Sequence, residues 1–315
     1  MLKIFRYAPV FTLIFLTACS SSPSGKGSSG ESAANEKQPS FRSVFGIGYT
    51  EVKRVYPSGL SFNDYGYQLK PEWRMSFKSD TLANIYNPWQ KKFRDYKVIF
   101  DHDSVFNIAW SWMRVKKVTR DSIVFQNLRV ENKTVNLERS RMFMTLYAND
   151  YIKNTLHTTP EALQKPSRRD TLFIKKKIEE SDRIPDSAFV AIDPVKLESK
   201  SSAVRITKRK AEKDKMVEGN ELMNYVLPEF DIVINKAYKD FFYEFSVYVD
   251  KTGKLHFGQS LNALMADSEE AYLRSMKGIT DVYLQNLLKI TPGTTLGMPH
   301  TSTILLHVKG VKKSG

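Results

Sequence analysis

The sequence predicts an α+β protein: a mostly-β N-terminal domain, either a small barrel or a sandwich, and a C-terminal α+β domain with one helix on an antiparallel sheet. Two observations carry this. Between residues 41 and 156, apolar side chains alternate with polar ones in short runs separated by turn residues, the period-two pattern of half-buried strands. Beyond residue 240 the order is strand, turn, strand, helical stripe and closing strand. The 315 residues are 41% hydrophobic and 12% aromatic, which leaves room for two domains of ordinary size once a leader and tether are set aside.

The first 40 residues carry no core. Lys3 and Arg6 precede the apolar run Phe11-Thr12-Leu13-Ile14-Phe15-Leu16, and Ser20-Ser21-Ser22-Pro23 follows at once. A basic start, a short apolar run and a small residue before a cut are the parts of an export signal. The run is shorter than the ~20 apolar residues of a spanning helix. Leu16-Thr17-Ala18-Cys19 resembles the lipobox of bacterial lipoproteins, whose cysteine is lipidated and becomes the new N-terminus. Residues 1–18 then form the signal peptide and 19–40 a Ser/Gly-rich tether, reaching ~25 Å as a random coil. The resemblance implies membrane attachment through lipidated Cys19 in the bacterial cell envelope. The outer membrane, facing the periplasm or the surface, is the expected place. Cys19 is the only cysteine, so no internal disulfide forms. The net charge is +14, or +12 once Lys3 and Arg6 are removed, which favours acidic partners. In an exported lipoprotein nucleic acid is not expected among them.

The β-rich domain spans 41–156. Trp73, Met75 and Phe77 alternate with Arg74, Ser76 and Lys78. Asn87-Pro88 marks a turn. Met113 and Val115 lead through Thr119-Arg120-Asp121-Ser122 into Ile123-Val124-Phe125, a hairpin. Met142, Met144 and Leu146 form another strand. Val105, Ile108, Ala109, Trp112 and Met113 have helical spacing, so a short helix followed by a strand is expected there. Residues 157–218 are interrupted by Pro160, Pro166, Pro185 and Pro194 and hold basic clusters at Arg168-Arg169, Lys175-Lys176-Lys177 and Lys208-Arg209-Lys210. They read as a partly ordered basic connector, with short strands at 171–174 and 189–192.

The last domain, 219–315, opens with Phe241, Tyr243, Phe245, Val247 and Val249 on one strand face. Asp250-Lys251-Thr252-Gly253 makes the turn, and Leu255 and Phe257 continue. Asp267 and Glu270 have the spacing of a capping box. The stripe Tyr272, Met276, Ile279, Tyr283, Leu287, Ile290 has helical spacing. Thr291-Pro292-Gly293 stops it, and Ile304 to Val308 closes the sheet. With Leu296-Gly297-Met298-Pro299 before the closing strand, residues 230–310 resemble the C-terminal domain of TonB-type proteins. That family binds partners by adding a peptide strand to a sheet edge. The resemblance implies an interaction edge at the final strand, carried by Thr303, Leu305 and His307, and a protein partner in the envelope. A TonB energy transducer has an N-terminal transmembrane helix and a Pro-rich spacer; a lipobox and a Ser/Gly tether stand here instead, so energy transduction is not implied.

Catalytic chemistry finds little footing. Asp101-His102-Asp103 is the most tempting cluster, but neighbours on a strand point to opposite faces, and Asp103 or Ser104 can serve as a helix cap. His157, His256, His300 and His307 lack metal-ligand spacing, and no Gly-x-Ser-x-Gly elbow or phosphate loop occurs. A non-enzymatic protein without cofactor or metal is expected. Trp73, Trp89, Trp110, Trp112, Tyr65, Tyr67 and Phe77 offer a second reading, an apolar or sugar pocket in the β-rich domain, or simply its core.

Overall fold

Eight antiparallel strands close into a barrel in the N-terminal half. The computed structural model describes residues 39–109, 111–138, 140–209, 227–263 and 266–312. The barrel strands are β1 (Tyr49–Val55), β2 (Arg74–Ser79), β3 (Leu82–Asn87), β4 (Lys92–Phe100), β5 (Val105–Ile108), β6 (Ser111–Val118) and β7 (Ser122–Glu131); β8 (Thr134–Asn136) folds back on β7 outside the ring, and β9 (Met142–Ala148) completes it. Their order is β6-β5-β4-β3-β2-β1-β9-β7, and β6 pairs with β7 to close it. Closure removes the free edges that an open sheet would leave.

An eight-stranded barrel encloses space just wide enough for side chains. Alternation puts Met75, Phe77, Ile85, Phe106, Phe125 and Met144 inside. The N-terminal segment completes the filling: Phe41 and Val44 are fully buried on either side of a tight helical turn. The Phe41 ring stacks on Phe77 with centroids 3.7 Å apart. Asp80 fixes this segment, accepting from the Phe41 N–H at 2.6 Å and the Ser40 hydroxyl at 3.1 Å. The ring is weakest between β1 and β2, which pair at only two positions. There the buried Glu51 carboxylate substitutes for strand pairing. It accepts from the Glu72 and Trp73 N–H groups at 2.8 and 3.0 Å and from Arg54 at 2.7 and 2.6 Å.

Residues 105–108 form a strand, not the expected helix. The chain turns back at 101–104, with Asp103 at φ 50°, and Phe106 pairs with Phe100. The helical spacing of Val105, Ile108 and Trp112 was fortuitous, because two adjacent strands share the apolar positions.

The basic stretch after the barrel is more ordered than expected. It holds α1 (Pro160–Leu163), α2 (Arg168–Arg183), β10 (Lys196–Ser199) and β11 (Val204–Lys208). Pro160 sits at the first position of α1, and α2 begins with a Ser167–Asp170 capping box, so Thr171–Ile174 is helical. Arg168, Arg169, Lys175 and Lys176 are exposed, while Ile174 packs against Phe62 and Phe189.

The C-terminal layer contains β12 (Glu229–Ala237), β13 (Phe241–Val249), β14 (Leu255–Ser260), α3 (Ala266–Gly278), a wider π turn (Ile279–Leu284), α4 (Gln285–Leu287), β15 (Leu288–Thr291), β16 (Thr294–Thr295), β17 (Met298–Pro299) and β18 (Ser302–Lys312). The five-stranded sheet runs β11-β12-β18-β13-β14, so it takes β11 from the stretch read as connector; β15 pairs with β10. Every pair is antiparallel except β12 beside β18. Gly253 at φ +83° makes the β13–β14 turn. Asp267 lies in the first turn of α3, and the buried line follows Met276, Thr280, Leu284 and Leu288. The π turn shifts the stripe, since its longer repeat favours a spacing of four, and Ile290 ends on β15.

Candidate functional site

The structure corrects the expected interaction edge. Strand β18, which carries Thr303, Leu305 and His307, lies inside the sheet with β13 on one side and β12 on the other. Leu305 pairs with Ser246 of β13, and its N–H donates to the Pro228 carbonyl at 2.9 Å. His307 stands between Glu244 and Asp231. Thr303 pairs with Tyr248 and borders a crevice of about 370 Å³ shared with Tyr65, Lys177 and Phe189. The physical reason is β12: the chain lays its own strand where a partner's would add.

The helix and π turn cover one face of this sheet; the other presents a cross-strand polar cluster. Arg209, just past β11, bonds Asp231 at 2.7 Å and reaches Glu229 at 3.5 Å. The hydrogen bond to Asp231 raises the guanidinium pKa above its ordinary value. Arg209 Nη1 also lies 3.0 Å from His307 Nε2, and His307 Nδ1 lies 2.7 Å from Glu244 Oε1. An arginine only donates. Neutral His307 therefore accepts at Nε2 and donates from Nδ1 to Glu244. Protonated His307 donates from both nitrogens and can use Glu229 Oε2, 3.2 Å away. The cluster binds its own charges together across four strands and offers alternating acidic and basic groups to the surface.

The two true edges differ. On β14, Gly258 lies so close to Ser246 that a Cβ would meet its hydroxyl at 2.4 Å, and Gln259 N–H donates to that hydroxyl, a distortion that bends the edge. Edge strand β11 is regular. Arg209 N–H donates to Glu229 and Asn235 N–H to Ala203. In an antiparallel pair such bonded positions alternate, so Arg205 and Thr207 bond inward while the N–H and C=O groups of Ile206 and Lys208 point outward. Among the described residues no strand pairs with that side. Arg205, Lys208 and Arg209 give this edge a basic border.

The other expected groups do not converge. His102 bonds Asp101 at 2.6 Å in an exposed turn. His256 bonds Asp250 at 2.9 Å. Burial opposes ionisation of Asp250, but bonds from the Thr252 hydroxyl, His256 and the turn's N–H groups outweigh it and hold the pKa at about 2. His300 is fully buried, stacked on Phe189 at 3.8 Å and bonded to Thr295 Oγ1 at 2.9 Å; burial pushes its pKa down. Phe77 lies inside the barrel, Trp73 against its core and Trp112 half-buried on β6, while Tyr65 and Trp89 are 74% and 81% exposed. Among the described residues these aromatics are dispersed, and Phe41 fills the barrel interior. Cys19 and Trp110 lie outside the described residues. Among the described residues no group of three or more His, Asp or Glu is placed to hold a metal ion.

The open β11 edge was missed because an open edge depends on which strands pair, and local sequence does not encode that. Its sequence signal is only the alternation of Val204 and Ile206 with Arg205 and Thr207. No protein-family model matches the chain. No curated protein sequence matches it either.

Proposed function

We propose that the chain is a non-enzymatic cell-envelope lipoprotein, held to a membrane through lipidated Cys19, that works by protein–protein interaction through its TonB-like C-terminal domain. The observation that carries this reading is the open, basic edge of β11 beside the Arg209–His307 polar cluster. Among the described residues no strand takes up the outward backbone groups of Ile206 and Lys208, which can pair with an added strand, while Arg205, Lys208 and Arg209 favour an acidic one. The edge beside β18, where the resemblance puts the partner, is occupied by β12. The partner strand therefore adds at the far side of the chain's own extension of the sheet.

The test is cross-linked capture from native envelopes with the full-length protein. Lys208→Pro removes one outward N–H at an exposed position without touching the pairing to β12 or the core. The expected result is loss of the captured partner with an unchanged thermal melt and unchanged membrane attachment. Full capture by the folded variant would exclude pairing at this edge. Membrane attachment is read separately: Cys19→Ala should abolish labelling by a fatty-acid analogue, and persistent labelling would remove the lipoprotein reading.

A further inference from the structure

The outer wall of the barrel carries a second site, unrelated to the interaction domain. Thr50 stands opposite Arg74, and Tyr86 opposite Phe93; the β2–β3 register brings Arg74 beside Tyr86, so one row crosses β1, β2, β3 and β4. The Arg74 guanidinium carbon rests 3.6 Å from the Tyr86 ring centroid and 5.9 Å from that of Phe93. The two rings meet edge to face at 5.4 Å. This row opens on a cleft of about 670 Å³, whose walls include Thr50, Glu72, Asn84, Asn149, Glu161 and Gln164. The cleft lies beside the two-position seam between β1 and β2, where pairing stops early, and Pro160, Glu161 and Gln164 form its other wall.

Arg74 is unusual in what it does not do. Arginine on a strand surface commonly pairs with a nearby carboxylate. Glu72 and Glu161 border the same cleft, yet among the described residues no side chain or carbonyl accepts a hydrogen bond from the Arg74 guanidinium. Its contacts are with rings, which hold the head group in place and leave its donors unspent. A guanidinium offers five N–H groups in a planar fork that matches a carboxylate or phosphate in two parallel bonds. Stacking limits the rotamer freedom that would otherwise be lost on binding. The cleft volume falls in the range of small-ligand sites, ~300–1,000 Å³.

We propose that this cleft binds a small ligand bearing a carboxylate or phosphate group, with Arg74 as its anchor and Tyr86 as the residue that positions the anchor. Glu72, Glu161, Asn149 and Gln164 at the walls favour a ligand whose remainder carries hydroxyl or amino groups.

The test is calorimetric titration of the full-length protein in detergent with three probes. Inorganic phosphate stands for a free oxyanion, glycerol 3-phosphate for a lipid head group and succinate for a carboxylate. At least one should bind with one-to-one stoichiometry and a Kd of about 1 mM or tighter, and the tightest names the source. Arg74→Gln should weaken it by about tenfold or more, and Arg74→Lys should fall between, since it keeps the charge but loses the fork. Tyr86→Leu should weaken binding with an unchanged circular dichroism spectrum. Arg168→Gln, on the exposed face of α2, should leave the Kd unchanged. Absence of saturable binding by all three probes up to about 10 mM overturns the proposal. So does binding that survives Arg74→Gln, or an equal loss in Arg168→Gln, which would mean general attraction to a basic protein.

Discussion

Replacing Phe41 with alanine tests whether the N-terminal segment completes the barrel. The side chain is fully buried and its ring lies 3.7 Å from Phe77, 5.6 Å from Phe106 and 5.7 Å from Phe100. Truncating a buried phenylalanine costs ~3–5 kcal/mol through lost transfer energy and the cavity left behind. The aromatic contacts place this site in the upper part of that range, since each is worth ~0.5–1.5 kcal/mol beyond area burial. For a chain of this size each kcal/mol lowers the melting temperature by ~2–4 °C, so a fall of ~10–20 °C is expected. Urea unfolding followed by near-ultraviolet circular dichroism measures the loss directly. The vacated space is lined by Phe77, Phe106 and Phe125 and should stay dry, as apolar cavities do. Benzene should then bind the variant and restore part of its stability by mass action, while leaving the wild-type protein unaffected. A loss under ~1 kcal/mol, or no difference in benzene response, would refute the placement of Phe41 inside the barrel.

Two further expectations follow from position in the sheet and from burial. Leu305→Pro removes the N–H bonded to Pro228 in the middle of the sheet and should cost ~3 kcal/mol or more, whereas Lys208→Pro at the exposed edge should stay within ~1 kcal/mol; comparable urea midpoints for the two would contradict the strand order. Burial holds the His300 pKa below its ordinary 6.5, outweighing the bond to the Thr301 carbonyl and the charge of Asp182, so the unfolded chain takes up a proton at His300 before the folded one does. Its contribution to stability is therefore complete above pH 6.5 and declines as pH falls below it, a loss that should be missing from urea midpoints of His300→Gln measured at the same pH values.

The elements that sequence revealed are those whose signal is local. Met75 and Phe77 between charged neighbours, the Thr119–Ser122 hairpin turn and the Asp250–Gly253 turn each declare themselves within a few residues, and each lies where the pattern puts it. Helix α2 was misread as a connector with a strand at 171–174, although Ser167 and Asp170 have capping-box spacing and Pro166 and Pro185 bracket the helix instead of interrupting it. Barrel closure was not legible, because the β1–β9 contact that completes it is a matter of which strands meet, and many orders satisfy the same alternation.

The candidate site failed for a related reason, and the local sequence held a partial warning. An edge strand facing water on one side should alternate, yet Ile304-Leu305-Leu306-His307-Val308 is nearly unbroken in apolar character, as strands flanked and covered on both sides tend to be. That run argues for an interior place. The candidate neighbour was also in view: Phe230, Ile232 and Ile234 alternate with Glu229, Asp231 and Val233, giving one buried face and one polar face. What sequence could not supply is the parallel register that sets Asp231 beside His307 and so assembles the Arg209–His307–Glu244 cluster. These residues lie up to 98 positions apart, so only the sheet order joins them. Because that order fills the β18 edge from within, the proposed added strand would pair with the regular β11 edge rather than the bent β14 edge, and its side-chain preference would come from Arg205, Lys208 and Arg209 rather than from Thr303 and Leu305.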